Sequence, residues 1–81
     1  MSTTVIIPTK NEVIGVEKIL PQVKKEWADE WIVMDGNSKD GTVDAAKKLN
    51  FNVIQQTGKG AGNAYREGVK HAHSENVLFF S

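Results

Sequence analysis

Four short apolar runs divide this chain, and the stretches between them constrain the fold more than any other feature. The runs occupy residues 4–8 (TVIIP), 31–35 (WIVMD), 52–55 (NVIQ) and 76–80 (NVLFF). Each is rich in Val, Ile or Phe, and none alternates cleanly between apolar and polar residues. Such a run reads as a strand buried on both faces, the pattern of a parallel sheet. Parallel neighbours cannot be joined by a tight turn, so a crossover must fill every gap.

The gaps carry helical periodicity. Val13, Val16, Leu20, Val23 and Trp27 recur at spacings of three and four, one face of a helix. Pro21 lies inside that stripe and should kink the helix or end its first segment near Leu20. In the second gap Asp40 or Thr42 can cap a helix running to about Leu49, with Val43, Ala46 and Leu49 turned inward. Lys47 and Lys48 then fall in its last turn, at the negative end of the dipole. In the third gap Ala61, Ala64, Tyr65, Gly68, Val69 and Ala72 form another stripe. Trp27 and Trp31 are expected to pack where the first helix meets the second strand. The resulting order, β-α-β-α-β-α-β, implies an α/β fold with a parallel four-stranded sheet and right-handed crossovers.

At 81 residues there is room for one domain with a modest core. Ten basic side chains balance ten acidic ones, so the basic face of a nucleic-acid binder is not expected. There is no cysteine, which suits a reducing compartment. Residues 1–4 carry no basic, secretory-type start. No apolar run approaches the ~20 residues needed to span a bilayer. The last apolar run reaches the final residues with nothing after it to cover it. These residues are therefore expected to be the N-terminal part of a longer protein.

In open parallel sheets, ligands bind outside the carboxyl ends of the strands. That rule selects residues 8–12, 35–42 and 56–62, and whatever follows Ser81. Asp35 ends the second strand, and an acid there needs a partner or a ligand. It could accept from an imide N–H of a base or from ribose hydroxyls. Residues 37–42 by themselves read more simply as a loop of good turn formers. Glu12 has a sufficient structural role beside a helix N-terminus, whereas Lys10 has none there unless it meets an anion. Gly58, Gly60 and Gly62 lead into the third helix, and with Lys59 they could receive a phosphate. The match to G-x-G-x-x-G or to G-x-x-x-x-G-K-[ST] fails. Arg66 could face the same mouth but is more simply a solvated side chain. His71 and His73, two residues apart, lie on different helix faces and make a poor zinc pair.

Taken together, "VIIPTKNE", "WIVMDGNSKDGT", "GKGAGNAYREGVKHA" and "NVLFFS" resemble the N-terminal half of a family-two, GT-A-fold glycosyltransferase. The similarity is greatest to the polyprenyl-phosphate (dolichyl-phosphate) hexose synthases, and it covers essentially the whole chain. It implies a strand order of 3-2-1-4, with helices on both faces of the sheet. It further implies that this half binds the nucleotide of a nucleotide-diphospho-sugar donor. Pro8, Thr9 and Glu12 would line the base and ribose. Asp35 would meet the base, with Gly36 and Ser38 in the adjoining loop. Lys59 and Gly60 would approach from the end of the third strand.

In that family an Asp-x-Asp element following the fourth strand holds Mg²⁺ or Mn²⁺ against the donor diphosphate. Here it would fall beyond Ser81, together with the general base and the acceptor surface. The resemblance therefore implies that the parent is an inverting hexosyltransferase acting on a polyprenyl phosphate. It would work in the cytoplasm or at the cytoplasmic face of a membrane. The 81-residue chain itself would bind no metal and transfer no sugar. Phe79 and Phe80 would lie on an exposed edge strand, inviting pairing with a second copy. The competing readings are a non-catalytic, flavodoxin-like interaction or receiver module and a dinucleotide-binding domain. Neither finds its motif: there is no acid pair after the first strand, and the glycine fingerprint fails.

Overall fold

A computed structural model describes residues 2–80. The strands are β1 (Thr3–Thr9), β2 (Glu30–Asp35), β3 (Asn52–Gln55) and β4 (Asn76–Phe79), all paired in parallel. The helices are α1 (Val13–Ile19), α2 (Thr42–Lys48) and α3 (Ala61–His71). The sheet order is β3-β2-β1-β4, the 3-2-1-4 arrangement anticipated above. The chain steps from β1 outward to β3, then returns over the sheet to place β4 on the other side of β1. Keeping one crossover hand through that reversal puts α1 and α2 on one face and α3 on the other.

The strand period of two sorts the core accordingly. Val5, Ile7 and Val33 pack with Val16, Leu20, Ala45, Ala46 and Phe51 on the α1/α2 side. Ile6, Ile32 and Met34 pack with Ala64 on the α3 side. Gly68 lets α3 lie directly on β1, since a Cβ at that position would sit 2.7 Å from Ile6 Cδ1. The central strands are buried on both faces as expected. The outer strands are not: β3 exposes both its end residues, and Leu78 and Phe79 of β4 are more than half exposed. In a four-stranded sheet only the inner pair has neighbours on both flanks, which corrects the expectation of four fully buried strands.

Two further corrections come from the first crossover. Pro21 does end the helix: α1 stops at Ile19 and a 3₁₀ turn, Leu20–Gln22, follows. The 3.6-residue stripe therefore does not continue to Trp27, which lies in a second 3₁₀ turn (Lys25–Trp27) and is 67% exposed. Trp31 packs edge-on against Phe51, with centroids 6.2 Å apart, and its indole N–H donates to the Lys25 carbonyl. Lys25 in turn donates to the carbonyls of Leu49 and Asn50 at the end of α2, where a cation is favourable. Phe80, expected on the exposed edge, is half-buried against the α1/α2 core. Phe79 alone of the pair is exposed, stacked on Tyr65 at 4.4 Å.

Candidate nucleotide site

The strand register brings Thr9 level with Asp35, and Asp35 level with Gln55. Three loops therefore leave the sheet side by side at its carboxyl edge. Between the first and the third lies a cavity of about 230 Å³. Pro8, Thr9, Glu12, Gly36, Lys59 and Gly60 all line it, six of the eight residues singled out from the sequence. Lys10 and Gln56 line it too. Lys10 is the cation for which the sequence offers no structural role, and Gln56 opens the 56–62 segment that the strand-end rule selects, without any motif marking it as a ligand. The volume falls below the roughly 300–1,000 Å³ of a complete ligand pocket. It has room for part of a nucleotide-sugar, and its charged groups are divided between cations (Lys10, Lys59) and an acid (Glu12).

Asp35 and Ser38 do not line the cavity. Asp35 is fully buried just beneath it. Its Oδ1 accepts from the hydroxyls of Thr9 (2.8 Å) and Ser38 (2.6 Å), and its Oδ2 accepts from the Ser38 N–H (2.7 Å). Burial pushes its pKa up, but the bonds from Ser38, Thr9 and Gln55 outweigh burial and hold it below the ordinary carboxylate value. The expected reach of Asp35 toward a base is thus corrected: the carboxylate is spent on orienting Thr9 and the second loop. An acid at the end of a buried strand needed a partner, and the chain supplies it internally.

The second loop also caps the helix of the first. No side chain of its own caps α1, whose N-cap residue is Glu12. Instead the Glu12 N–H donates to Thr42 Oγ1 (2.9 Å) and the Val13 N–H to Asp40 Oδ2 (3.1 Å). Ser38 Oγ accepts from the Asn11 N–H, and Asn11 Oδ1 accepts from the Lys39 N–H. Asp40 also accepts from the Thr42 N–H and hydroxyl, which draws its pKa down. The N-cap of α2 itself is Gly41 in the left-handed region, φ 90°. Asp40, expected as a cap for α2, divides its carboxylate: Oδ1 takes the first amide of α2 and Oδ2 that of α1, while the Thr42 hydroxyl serves the α1 side. Glu12, with its backbone held this way, is left with an exposed carboxylate that accepts no hydrogen bond among the described residues.

The glycine-rich third loop departs from the phosphate-cradle reading. Glu67, in the second turn of α3, accepts from the Thr57 N–H with one oxygen and from the Gly58 N–H with the other, both at 2.8 Å. These bonds lower its pKa. Two amides that a phosphate would need are therefore already bound to a carboxylate. Gly60, φ 88° and ψ 159°, turns the chain into α3 at the cavity lip in a conformation open to glycine almost alone. Arg66 is exposed and does not line the cavity. A second hollow, about 280 Å³, lies on the other side of the Pro8–Glu12 ridge, walled by Val16, Ile19, Leu20, Tyr65 and Phe80.

The sequence profile described as Glycosyl transferase family 2 matches residues 4–81. The chain belongs to glycosyltransferase family 2. Among curated proteins, glycosyltransferase AglJ from Haloferax volcanii is 33% identical over 75 residues, covering 91% of this chain and 25% of AglJ. Among solved structures, Mycobacterium tuberculosis glucosyl-3-phosphoglycerate synthase with Mn²⁺, UDP and glucosyl-3-phosphoglycerate superposes with a TM-score of 0.89. It is 22% identical over 98% of this chain and 32% of that one. The mannosyltransferase PcManGT from Pyrobaculum calidifontis, with GDP-mannose and Mn²⁺, gives a TM-score of 0.78. It is 28% identical over 94% of this chain and 26% of that one. This family-two chain thus spans a quarter to a third of the length of these relatives. Among its described residues no three His, Cys, Asp or Glu side chains converge as a metal site.

Proposed function

We propose that the cavity receives the nucleoside end of a UDP- or GDP-hexose, and that residues 1–81 form the nucleotide-binding half of a longer inverting glycosyltransferase domain. The observation that carries this reading is the gathering of Pro8, Thr9, Glu12, Gly36, Lys59 and Gly60 around one cavity at the sheet's switch point. The cations Lys10 and Lys59 suit phosphate oxygens, and the Glu12 carboxylate suits a ribose hydroxyl. Asp35 and Ser38 serve the site from below, by fixing Thr9 and the first loop.

The Mg²⁺ or Mn²⁺ that screens the diphosphate would be held by residues beyond Ser81, where the acceptor site would also lie. A polyprenyl phosphate is the acceptor we propose, from the likeness to dolichyl-phosphate hexose synthases. The longer protein would then act in the cytoplasm or at the cytoplasmic face of a membrane. A divalent ion stabilises a diphosphate leaving group by several kcal/mol. With that ion held from outside residues 1–81, these residues taken alone are expected to bind donor weakly and to transfer nothing. Titrating UDP-glucose, GDP-mannose and NAD into the ¹⁵N-labelled chain tests the reading. Shifts at Thr9, Gly36 and Lys59 with either sugar nucleotide support it, and a preference for NAD would overturn it.

A further inference from the structure

Gln56 follows β3 and faces the cavity across Gly36. Its side-chain amide is oriented by two acceptors: Nε2 donates to the Gly60 carbonyl at 2.9 Å and to Asn63 Oδ1 at 2.8 Å. A backbone carbonyl can only accept, so the nitrogen must lie on that side and the oxygen on the other. Both amide hydrogens are spent. Oε1 accepts no hydrogen bond among the described residues, and no buried side-chain oxygen there lacks a partner, so Oε1 is open to the cavity. It lies against Gly36, where a Cβ would come within 3.4 Å of it. The Gln56 backbone is equally fixed, with its N–H donating to the Asp35 carbonyl at 2.7 Å.

The cavity therefore presents, beside a flat glycine surface, one neutral oriented acceptor with no donor of its own to offer. A phosphate oxygen cannot pair with it. A ring N–H can: uracil carries one at N3 and guanine at N1, whereas cytosine N3 and adenine N1 are acceptors and those bases can offer only an exocyclic amino group, displaced from the ring-nitrogen position. We propose that Gln56 is a specificity-determining residue of the donor site, whose Oε1 accepts the ring N–H of a uracil or guanine base lying over Gly36. This rests on the donor-site reading above and adds to it the group that selects the base. Gly36 belongs to the same device, because a side chain there would stand in contact with Gln56 Oε1 and the Thr9 carbonyl, at 3.4 Å, and take up the space beside Oε1 where a base would lie.

The test compares UDP and GDP with their analogues methylated at the ring nitrogen (3-methyl-UDP and 1-methyl-GDP). Binding is followed by ¹H–¹⁵N spectra of the 81-residue chain, which register weak binding and resolve the Gln56 side-chain amide. In the wild-type chain, methylation of the preferred nucleotide should weaken binding at least 3–10-fold, the net worth of one hydrogen bond, and the parent nucleotide should shift the Gln56 amide resonances. In Gln56→Met the parent and methylated ligands should bind within twofold of each other. A uniform loss across all ligands in Gln56→Met would mean that Gln56 only braces the third loop, and the proposal would fall. Undiminished discrimination in that variant would also refute it. If Gln56→Met proves unfolded by its spectrum, equal wild-type affinity for methylated and parent ligands refutes it, and unequal affinity with a shifted Gln56 amide upholds it. Absence of binding by every nucleotide would bring down the donor-site reading, and this proposal with it.

Discussion

Gly68 and Asp35 show how single residues hold the site in place. A methyl group at Gly68 would press on Ile6, which is fully buried in the middle of β1 and has no room to retreat. Gly68→Ala should cost about 1–3 kcal/mol by overpacking, and trimming the partner in Gly68→Ala/Ile6→Val should recover part of that in urea unfolding. At Asp35 the effect is polar. Asp35→Asn turns an acceptor that serves the Ser38 N–H and two hydroxyls into a group that offers donors of its own. Unfolding should report a loss of about 1–3 kcal/mol, with nucleotide shifts at Thr9 weakened because Thr9 loses its orientation. A variant as stable as wild type would show that the carboxylate does not organise these loops.

At the scale of elements, the notable coupling is between α1 and the loop that precedes α2. α1 is seven residues long and carries no side-chain cap of its own, so its first amides depend on Thr42 and Asp40 from across the site. Thr42 is fully buried, and Thr42→Val keeps its shape while removing its hydroxyl. The Glu12 N–H then loses its acceptor, a cost of about 1–2 kcal/mol. Amide exchange should accelerate at Glu12 and Val13, on a different element from the substitution. Acceleration confined to α2 would contradict the coupling. The same dependence explains why Glu12 can leave its carboxylate exposed at the cavity while its backbone stays ordered.

The whole molecule is tied at its opposite end by Glu30, at the start of β2. Its carboxylate accepts from the His73 N–H, meets His73 Nδ1 at 2.8 Å and accepts from the Thr4 hydroxyl, joining β1, β2 and the approach to β4. The bonds from His73, then that from Thr4, hold its pKa at about 2, below the ordinary 4.5. A depressed carboxylate stabilises the fold above its unfolded value and loses that contribution as pH falls through its folded value. Glu30→Gln should therefore flatten the decline of stability between pH 4.5 and 2, measured by thermal unfolding. The effect should be modest, because the His73 side of the pair is 87% exposed to solvent and to salt, although Glu30 itself is half-buried. The other whole-molecule property is association. Among the described residues β4 has no strand on its outer side, and it exposes Leu78 and Phe79. Self-association at high concentration is expected by sedimentation, and Leu78→Lys should reduce it.

The sequence by itself determined the alternation of strands and helices, the helix end at Pro21 and the set of loops that meet at the carboxyl edge. These follow from local physics: hydrophobic period, missing proline donors, and the rule that parallel strands need crossovers. Its likeness to family two supplied the strand order. Tertiary structure decided which polar groups remain available. Asp35, Asp40 and Thr42 read identically in the sequence whether they face a ligand, their own helix or a neighbour's. Only the register of β1 against β2 turned them inward and across to α1. Likewise nothing local distinguishes Gln55 from Gln56, or announces that Glu67 will occupy the amides of the glycine loop. Those assignments depend on residues four to thirty positions apart competing for the same hydrogen-bonding partners, and such a competition is settled only once the sheet has brought the loops together.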